Sequence, residues 1–163
     1  MPEAIAILST GGTIDKVYFD AQSDYEVGEP QIAEILRMVG AQVPYTVHTL
    51  FRKDSLDLTD ADRQVIRQMV LATDADRILI THGTDTMVET AEVLSDVAGK
   101  TIVLVGSLTP ARFKNSDAEF NIGFAIAAVQ TLPSGVFIAM NGCVFPYDKV
   151  RKNRKMNRFE EVV

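Results

Sequence analysis

The sequence predicts a single α/β domain with a mainly parallel β-sheet covered by helices on both faces. Short apolar runs rich in Ile, Val and Leu, as in strands buried on both faces, alternate with longer helical segments. Four of the five predicted strands run directly into glycine or small polar residues, as expected where parallel strands end at a ligand crevice. A chain of 163 residues is long enough to bury such a core.

Five segments have the composition of strands: residues 4–9, 45–50, 77–81, 101–105 and 135–140. Residues 14–29 lie between the first strand and the first helix and are polar and aromatic, without a helical stripe. We expect a long loop or an open hairpin there. Loops of this length in compact domains often act as lids over a functional site.

Four helices are expected between these strands. The first, residues 31–39, follows Pro30, which suits a first helical turn. Thr59 is a typical N-cap for the second helix, and the third begins near residue 87. The fourth, residues 117–131, is apolar on nearly all sides, so we expect it to be mostly buried in the core or partly in an interface.

The bulk composition excludes several classes of function. A net charge of −6 argues against nucleic acid as the main partner, and no apolar stretch has transmembrane length. One cysteine, Cys143, cannot form an internal disulfide, and the amino terminus lacks the basic start of a signal peptide. Two isolated histidines and one cysteine do not have metal-ligand spacing. We therefore expect a cytoplasmic protein without nucleic-acid, membrane or metal partners.

One segment has the opposite charge. Residues 149–158 contain six basic residues and no acidic residue. Such a run is most simply interpreted as a solvated surface segment. The alternative is that one of its lysines turns back into a functional site.

Thr13 and Thr84 are the candidate nucleophiles, because each follows a glycine just beyond a predicted strand. A threonine hydroxyl needs a group that accepts its proton, and Asp85, Lys152 and Tyr25 are the candidates. Each of these side chains also has a structural interpretation, as helix cap, ion-pair partner or loop anchor, and the residues alone leave these alternatives open. For the histidine at position 82 we favour a structural hydrogen bond over a role as base.

Two motifs stand in order at the ends of two predicted strands: Thr10-Gly-Gly-Thr-Ile14 and Ile80-Thr-His-Gly-Thr-Asp-Thr-Met87. Together they closely resemble the bacterial-type L-asparaginase family. The resemblance continues through Ser23-Asp-Tyr25 and Asp54-Ser-Leu-Asp57 to Lys152-Asn153. It covers essentially the whole chain, but only the N-terminal domain of the usual two-domain enzyme, so residues 1–163 resemble a short, single-domain form without the C-terminal domain.

Residue by residue, the resemblance implies two groups of catalytic side chains. Thr13 resembles the primary nucleophile, with Tyr25 as its hydrogen-bond partner on a flexible loop. Thr84, Asp85 and Lys152 resemble a second triad.

The resemblance also implies a substrate-binding set. In it, Ser55 binds the α-carboxylate of the substrate and Asp85 its α-ammonium, while Gly12, Gly83 and Thr84 line the site. Backbone N–H groups of the Gly83–Thr84 turn are candidate oxyanion donors. Asp15 stands where a small residue often follows the first motif, and we expect it on the substrate side. No cofactor is implied.

The fold implied by the resemblance is a flavodoxin-like three-layer sandwich, in proteins that assemble as dimers or tetramers. The family's site is completed by an acidic residue from a neighbour's C-terminal domain, so we expect weaker ammonium binding here. The function implied is hydrolysis of L-asparagine to aspartate and ammonia by threonine nucleophilic catalysis. Two alternatives stay open: a glutaminase-type or transfer-RNA-linked amidase, and an amino-acid-binding regulatory domain without turnover.

Overall fold

A computed structural model describes residues 2–19 and 24–163. Its main sheet has six strands in the order β4-β1-β5-β6-β7-β8, and all neighbouring strands are parallel except β7 and β8. The strands of this sheet are β1 (Ile5–Gly11), β4 (Tyr45–Lys53), β5 (Arg77–Thr81), β6 (Thr101–Val105), β7 (Gly135–Met140) and β8 (Cys143–Pro146). The five parallel strands follow the flavodoxin-like order 2-1-3-4-5, as the resemblance implied.

Burial on both faces explains the composition of the central strands. Every residue of β1 is buried, and so is every residue of β6. Both strands accordingly read as continuous apolar runs rather than as alternating ones. The edge strand β4 alternates instead between partly buried and exposed residues over its first half.

The helices form the outer layers of the sandwich. Their bounds are α1 (Gln31–Met38), α2 (Asp60–Ala72), α3 (Met87–Val93) and α4 (Ala118–Thr131). Thr59 caps α2 as predicted: its side chain accepts from the Asp62 N–H at 3.1 Å, while the Asp62 carboxylate accepts from the Thr59 N–H at 3.0 Å. Pro30 occupies the N-cap position of α1 rather than its first turn.

Helix α4 is buried along one face only, so it is not a core helix on all sides, and the alternative of a partial interface stays a prediction. Ala118, Ile122 and Ala125 face the core, but the side chain of Phe120 is 63% exposed and stacks on Phe124, with ring centroids 6.3 Å apart. A helix that is apolar all round therefore leaves an apolar strip on this surface.

Two small antiparallel hairpins complete the fold. β2 (Lys16–Phe19) pairs with β3 (Asp24–Val27), so the described part of residues 14–29 is the open hairpin of our prediction; Ser23, which belongs to the resemblance, lies outside the described residues. β9 (Val150–Asn153) pairs with β10 (Arg158–Glu161). The sequence analysis did not predict β8, β9 or β10.

Candidate active site

The candidate site lies where β1 and β5 end side by side. These strands are parallel neighbours in register, with Ser9 opposite Thr81. After β1 the chain forms β4 on one side of β1, and it then crosses over to form β5 on the other side of β1. Ligands of open α/β sheets bind at such a switch point, beyond the carboxyl ends of the strands.

Two glycines bring the two threonine segments into contact. Gly12 has φ 91°, and a Cβ atom added to it would lie 2.4 Å from Gly83 Cα. A Cβ added to Gly83 would lie 2.6 Å from Ser55 Cβ. Backbone approaches this close exclude any side chain at the two positions. The turns that carry Thr13 and Thr84 are therefore stacked against each other and against Ser55.

Substitution of Gly83 by alanine is expected to lower the free energy of unfolding by about 1–3 kcal/mol, because the added methyl group overlaps a fully buried side chain. Urea unfolding measures the change. Gly123→Ala is the matched control: nothing lies within 4 Å of an added Cβ inside helix α4, so that change should raise stability by about 0.5–1 kcal/mol. Equal effects of the two substitutions would contradict the packing argument.

Lys152 contacts both of the other members of the predicted second triad, Thr84 and Asp85. Its Nζ donates to Thr84 Oγ1 at 2.8 Å and to Asp85 Oδ1 at 2.8 Å. The side chains of Lys152 and Asp85 are 13% and 29% exposed, so water screens this ion pair less than a surface pair. Lys152 of the basic segment thus turns back towards the ends of the main strands, as the alternative interpretation requires, while its role in a functional site stays a prediction.

The β9–β10 hairpin holds Lys152 in this position. Phe159 of β10 is opposite Lys152 and is 3% exposed, so its ring anchors the hairpin in the core. Its N–H donates to Asn141 Oδ1 at 2.7 Å, and Asn141 itself has φ 55° just beyond β7. The hairpin is thus fastened to the carboxyl end of the main sheet, where the site lies.

The structure does not join Tyr25 to Thr13. Among the described residues, no side-chain hydrogen bond links the two. The Tyr25 ring is instead 46% exposed and contacts Tyr18 and Phe113, each with centroids 5.6 Å away. Thr13 is half-buried in the short 3-10 turn Thr13–Asp15.

Ser55 lies at the floor of the site. It is 1% exposed, its Oγ accepts from the Thr86 N–H at 3.3 Å, and its carbonyl accepts from the Thr86 hydroxyl at 2.8 Å. These two bonds fix the turn Ser55–Asp57 against the segment that follows β5. Thr86 was missed as a partner of Ser55, although it belongs to the second motif.

The expectation that Asp15 faces the substrate was wrong. Its side chain is 1% exposed; Oδ1 accepts from the Gln31 N–H at 2.9 Å and Oδ2 from Ser9 Oγ at 3.4 Å. Burial raises the pKa of Asp15 from 3.8 to about 7, against the lowering effects of these hydrogen bonds and of nearby Arg52; Glu29 adds to the rise. Asp15 is therefore a structural link between the Thr13 turn and the start of helix α1.

The Asp15→Asn variant should change how stability depends on pH. An acid with a raised native pKa stabilises the fold at low pH, and that contribution is lost as the pH rises from about 4 to 7. At about 1.4 kcal/mol per pKa unit, full ionisation of Asp15 costs the native state about 4 kcal/mol. Asparagine keeps the shape without the charge, so the variant should exceed the wild type in stability by up to about 4 kcal/mol at pH 8 and match it near pH 4.

Urea unfolding at pH 4.5, 6 and 8 measures this difference, and the exposed Glu26→Gln on β3 is the control. His82 acts in the opposite direction: its lowered pKa makes its contribution grow as the pH rises from about 4 to 6.5. The wild-type curve should therefore be flatter than that of Asp15→Asn. Parallel curves for the two proteins would contradict the assignment.

His82 makes structural hydrogen bonds, as we favoured. It is fully buried, and its ring nitrogens lie 2.7 Å from the Gly83 carbonyl and 2.7 Å from the Thr90 hydroxyl. Desolvation by burial lowers the pKa of His82 to about 4. An imidazole with both nitrogens engaged in the interior is not available to a substrate.

A cavity of about 260 Å³ opens beside the ion pair of Lys152 and Asp85, lined also by Arg154. Arg154 Nε lies 3.4 Å from Asp85 Oδ1, so a second cation faces the same carboxylate oxygen. Sequence reasoning missed Arg154, which lies in the turn directly after β9. A larger surface cavity, about 410 Å³, lies between Glu3 and Asp76 at the amino ends of the strands, away from this site.

Within residues 2–19 and 24–163, no group of three or more His, Cys, Asp or Glu side chains could hold a metal ion. Of the helices in the same residues, none is long and apolar enough to cross a membrane. The described polar side chains at the site are hydroxyl groups, the Asp85 carboxylate and the cations of Lys152 and Arg154.

Comparison with known proteins identifies relatives of this chain. The family model for the N-terminal part of asparaginase matches residues 4–160. The chain is 33% identical to L-asparaginase 2 of Escherichia coli over 167 residues, which cover 91% of this chain and 46% of that protein. It is 29% identical to the glutaminase-asparaginase of Pseudomonas fluorescens over 171 residues, covering 94% and 45%.

The fold agrees with these matches. The crystal structure of L-asparaginase I from Vibrio cholerae superposes with a TM-score of 0.86 at 28% identity, covering 99% of this chain and 52% of that one. The chain thus spans about half the length of the relatives it matches. Since the family model covers nearly the whole chain and the structure superposes throughout, this protein belongs to the asparaginase family and corresponds to its N-terminal domain.

Proposed function

We propose that this chain hydrolyses the side-chain amide of L-asparagine, releasing aspartate and ammonia. The observation that carries the proposal is the contact of Lys152 Nζ with both Thr84 Oγ1 and Asp85 Oδ1, at 2.8 Å each, from a hairpin far away in sequence. This group can move a proton next to a nucleophile, which nucleophilic amide hydrolysis needs, and the turn that carries Thr13 is stacked against it.

In the proposed reaction, Thr13 Oγ1 attacks the amide carbon, the carbonyl oxygen becomes an oxyanion, and the hydroxyl proton of Thr13 is transferred to the amide nitrogen. Collapse of this intermediate expels the nitrogen as ammonia once it has received a proton, leaving an ester on Thr13. A water molecule then attacks the ester carbon, and aspartate leaves as Thr13 regains its proton. Thr84 and Lys152 form the polar group placed to orient that water and to carry its proton.

The substrate's backbone groups fit the neighbouring residues. Ser55 Oγ, held by the Thr86 N–H, can donate to the α-carboxylate. Both Lys152 and Arg154 approach Oδ1 of Asp85, which leaves Oδ2 for the α-ammonium. A hydrogen bond from Tyr25 to Thr13 requires the β2–β3 hairpin to rearrange when substrate binds, because the Tyr25 ring now contacts Tyr18 and Phe113.

The direct test is ammonia release from L-asparagine and L-glutamine, together with calorimetric titration of L-aspartate. We expect turnover of asparagine, with glutamine the poorer substrate. Preference for glutamine would favour the second candidate, a glutaminase-type amidase, for which a relative named glutaminase-asparaginase is the supporting observation. Binding of aspartate without ammonia release would favour the regulatory domain.

We also propose a cytoplasmic homo-oligomer that uses neither a metal nor a cofactor. The single cysteine supports a reducing compartment. The exposed Phe120 and its stacked neighbour Phe124 support an interface on the outer face of α4. Sedimentation of the wild type and of Phe120→Glu tests the interface, which predicts dissociation of the variant.

A further inference from the structure

A chain of buried hydrogen bonds runs from helix α2 to the end of β5. Arg63 Nε donates to Thr90 Oγ1 at 3.2 Å, the Thr90 hydroxyl lies 2.7 Å from His82 Nε2, and His82 Nδ1 lies 2.7 Å from the Gly83 carbonyl oxygen. Arg63 is 7% exposed, and Thr90 and His82 are fully buried. None of these three side chains has a role in the proposed reaction.

The groups at the two ends of this series of hydrogen bonds indicate which atoms carry the protons. A carbonyl oxygen can only accept, so His82 Nδ1 carries the proton and donates it to Gly83. His82 Nε2 is then an acceptor, and the Thr90 hydroxyl must donate to it. The Thr90 oxygen in turn accepts from the Arg63 guanidinium, which can only donate. The Gly83 carbonyl therefore selects the His82 tautomer, and Arg63 and Thr90 hold the opposite side of the ring in place.

The hydrogen bond from His82 also fixes the orientation of the peptide group between Gly83 and Thr84. A trans peptide group directs its C=O and its N–H to opposite sides, and no described peptide bond is cis. Since the Gly83 carbonyl is bonded to the buried His82 ring, the Thr84 N–H points away from it. Within the described residues, no acceptor forms a hydrogen bond with that N–H.

We propose that Arg63, Thr90 and His82 are positioning residues that hold the Thr84 N–H towards the crevice as a donor to the oxyanion. This inference rests on the proposed amide hydrolysis. The positioning role explains why His82 is buried next to the site although it does not contact the substrate. Donors fixed before the reaction contribute most to such stabilisation, because they need no reorganisation as charge develops.

A neutral histidine is the form that the surroundings of His82 favour. Protonation would place a second positive charge in the interior near the Arg63 guanidinium, which already bonds Thr90. Burial and the charge of Arg63 both disfavour the imidazolium, and the pKa of His82 is lowered to about 4. The backbone is fixed as well, because the His82 N–H donates to the Val105 carbonyl at 2.9 Å.

The first test is the tautomer of His82 in the full chain, read from two-dimensional ¹H–¹⁵N spectra of the imidazole nitrogens at pH 6 to 8. The sequence contains only two histidines, and a His48→Gln variant on the exposed part of β4 assigns the signals. We expect His82 to be neutral with the proton on Nδ1. A proton on Nε2 would overturn the proposal.

The second test separates positioning from packing by changing Thr90. Thr90→Val keeps the shape and removes the hydroxyl, so His82 Nε2 loses its partner and the ring is held less firmly against the Gly83 carbonyl. We expect kcat to fall about 10- to 100-fold, with KM changing less than about threefold. Thr90→Ser restores the hydroxyl and should restore kcat. Thr81→Val is the matched control, because Thr81 is equally buried on β5 and its hydroxyl has no hydrogen-bond partner in the described structure.

The outcomes are distinguishable from failure of the proposed function. The tautomer can be measured without any turnover, so a wild type that releases no ammonia overturns the hydrolysis and leaves this readout intact. A folded Thr90→Val protein with wild-type kcat would overturn the positioning role. Should Thr90→Val fail to fold, the wild-type tautomer and the kcat of Thr90→Ser decide the question.

Discussion

Thr13→Ala should abolish ammonia release, lowering kcat by about 10³-fold or more while the fold stays intact. The variant removes the atom that forms the covalent bond to the substrate, and the remaining groups cannot substitute for a nucleophile. No hydrogen bond joins the Thr13 side chain to another described residue, so the free energy of unfolding should change by less than about 1 kcal/mol. Steady-state kinetics and urea unfolding measure the two quantities.

The comparison for this variant is Thr46→Ala, which makes the same chemical change at an exposed position of edge strand β4. That variant should retain wild-type kinetics. Calorimetry should still detect aspartate binding to Thr13→Ala, because Ser55 and Asp85 remain. A Thr13→Ala protein with undiminished turnover would exclude Thr13 as the nucleophile.

Lys152→Met should lower kcat by about 10²- to 10³-fold, the range for loss of a positioned acid–base group. Methionine has a similar length without the ammonium group. Thr84 therefore loses its hydrogen-bond partner at 2.8 Å, and Asp85 keeps Arg154 as its ion-pair partner among the described residues. Burst kinetics should show which half of the reaction is slowed. Accumulation of the ester on Thr13 would indicate that Lys152 acts when water attacks.

A double-mutant cycle tests whether Lys152 acts through Thr84. If the two side chains work as one unit, Thr84→Ala and Lys152→Met together should cost little more than either alone. Lys155→Met on the same hairpin is the control, because Lys155 is exposed. Fully additive losses would show that the 2.8 Å contact has no catalytic significance.

The sequence predicted the central sheet well because its signals are local. β5, β6 and β7 begin and end where their apolar runs do, since each run is bounded by polar residues or glycine. The capping of α2 by Thr59 was equally local. The positions of Thr84 and Asp85 follow from the same strand-end logic, so that half of the site could be predicted from the amino-acid sequence.

The remaining features depend on contacts between distant segments. Lys152 reaches the site because Phe159 and Asn141 fasten its hairpin to the sheet. The pattern of residues 149–158 does not predict these contacts. Asp15 was misplaced because its partner is the N–H of Gln31 at the start of another element. The catalytic roles, the division into a single domain and the contact between Tyr25 and Thr13 stay predictions.

The hairpin that supplies Lys152 also sets the order in which a newly made chain acquires its parts. The main sheet ends with β8 at Pro146, and β9 and β10 follow it. Domains generally fold as units, and Val150 and Phe159 of this hairpin belong to the buried core. The ribosome must therefore release residues as far as Glu161 before either the core or the charged centre is complete. A message truncated shortly after codon 146 would yield a protein that lacks both the lysine of the site and part of the core.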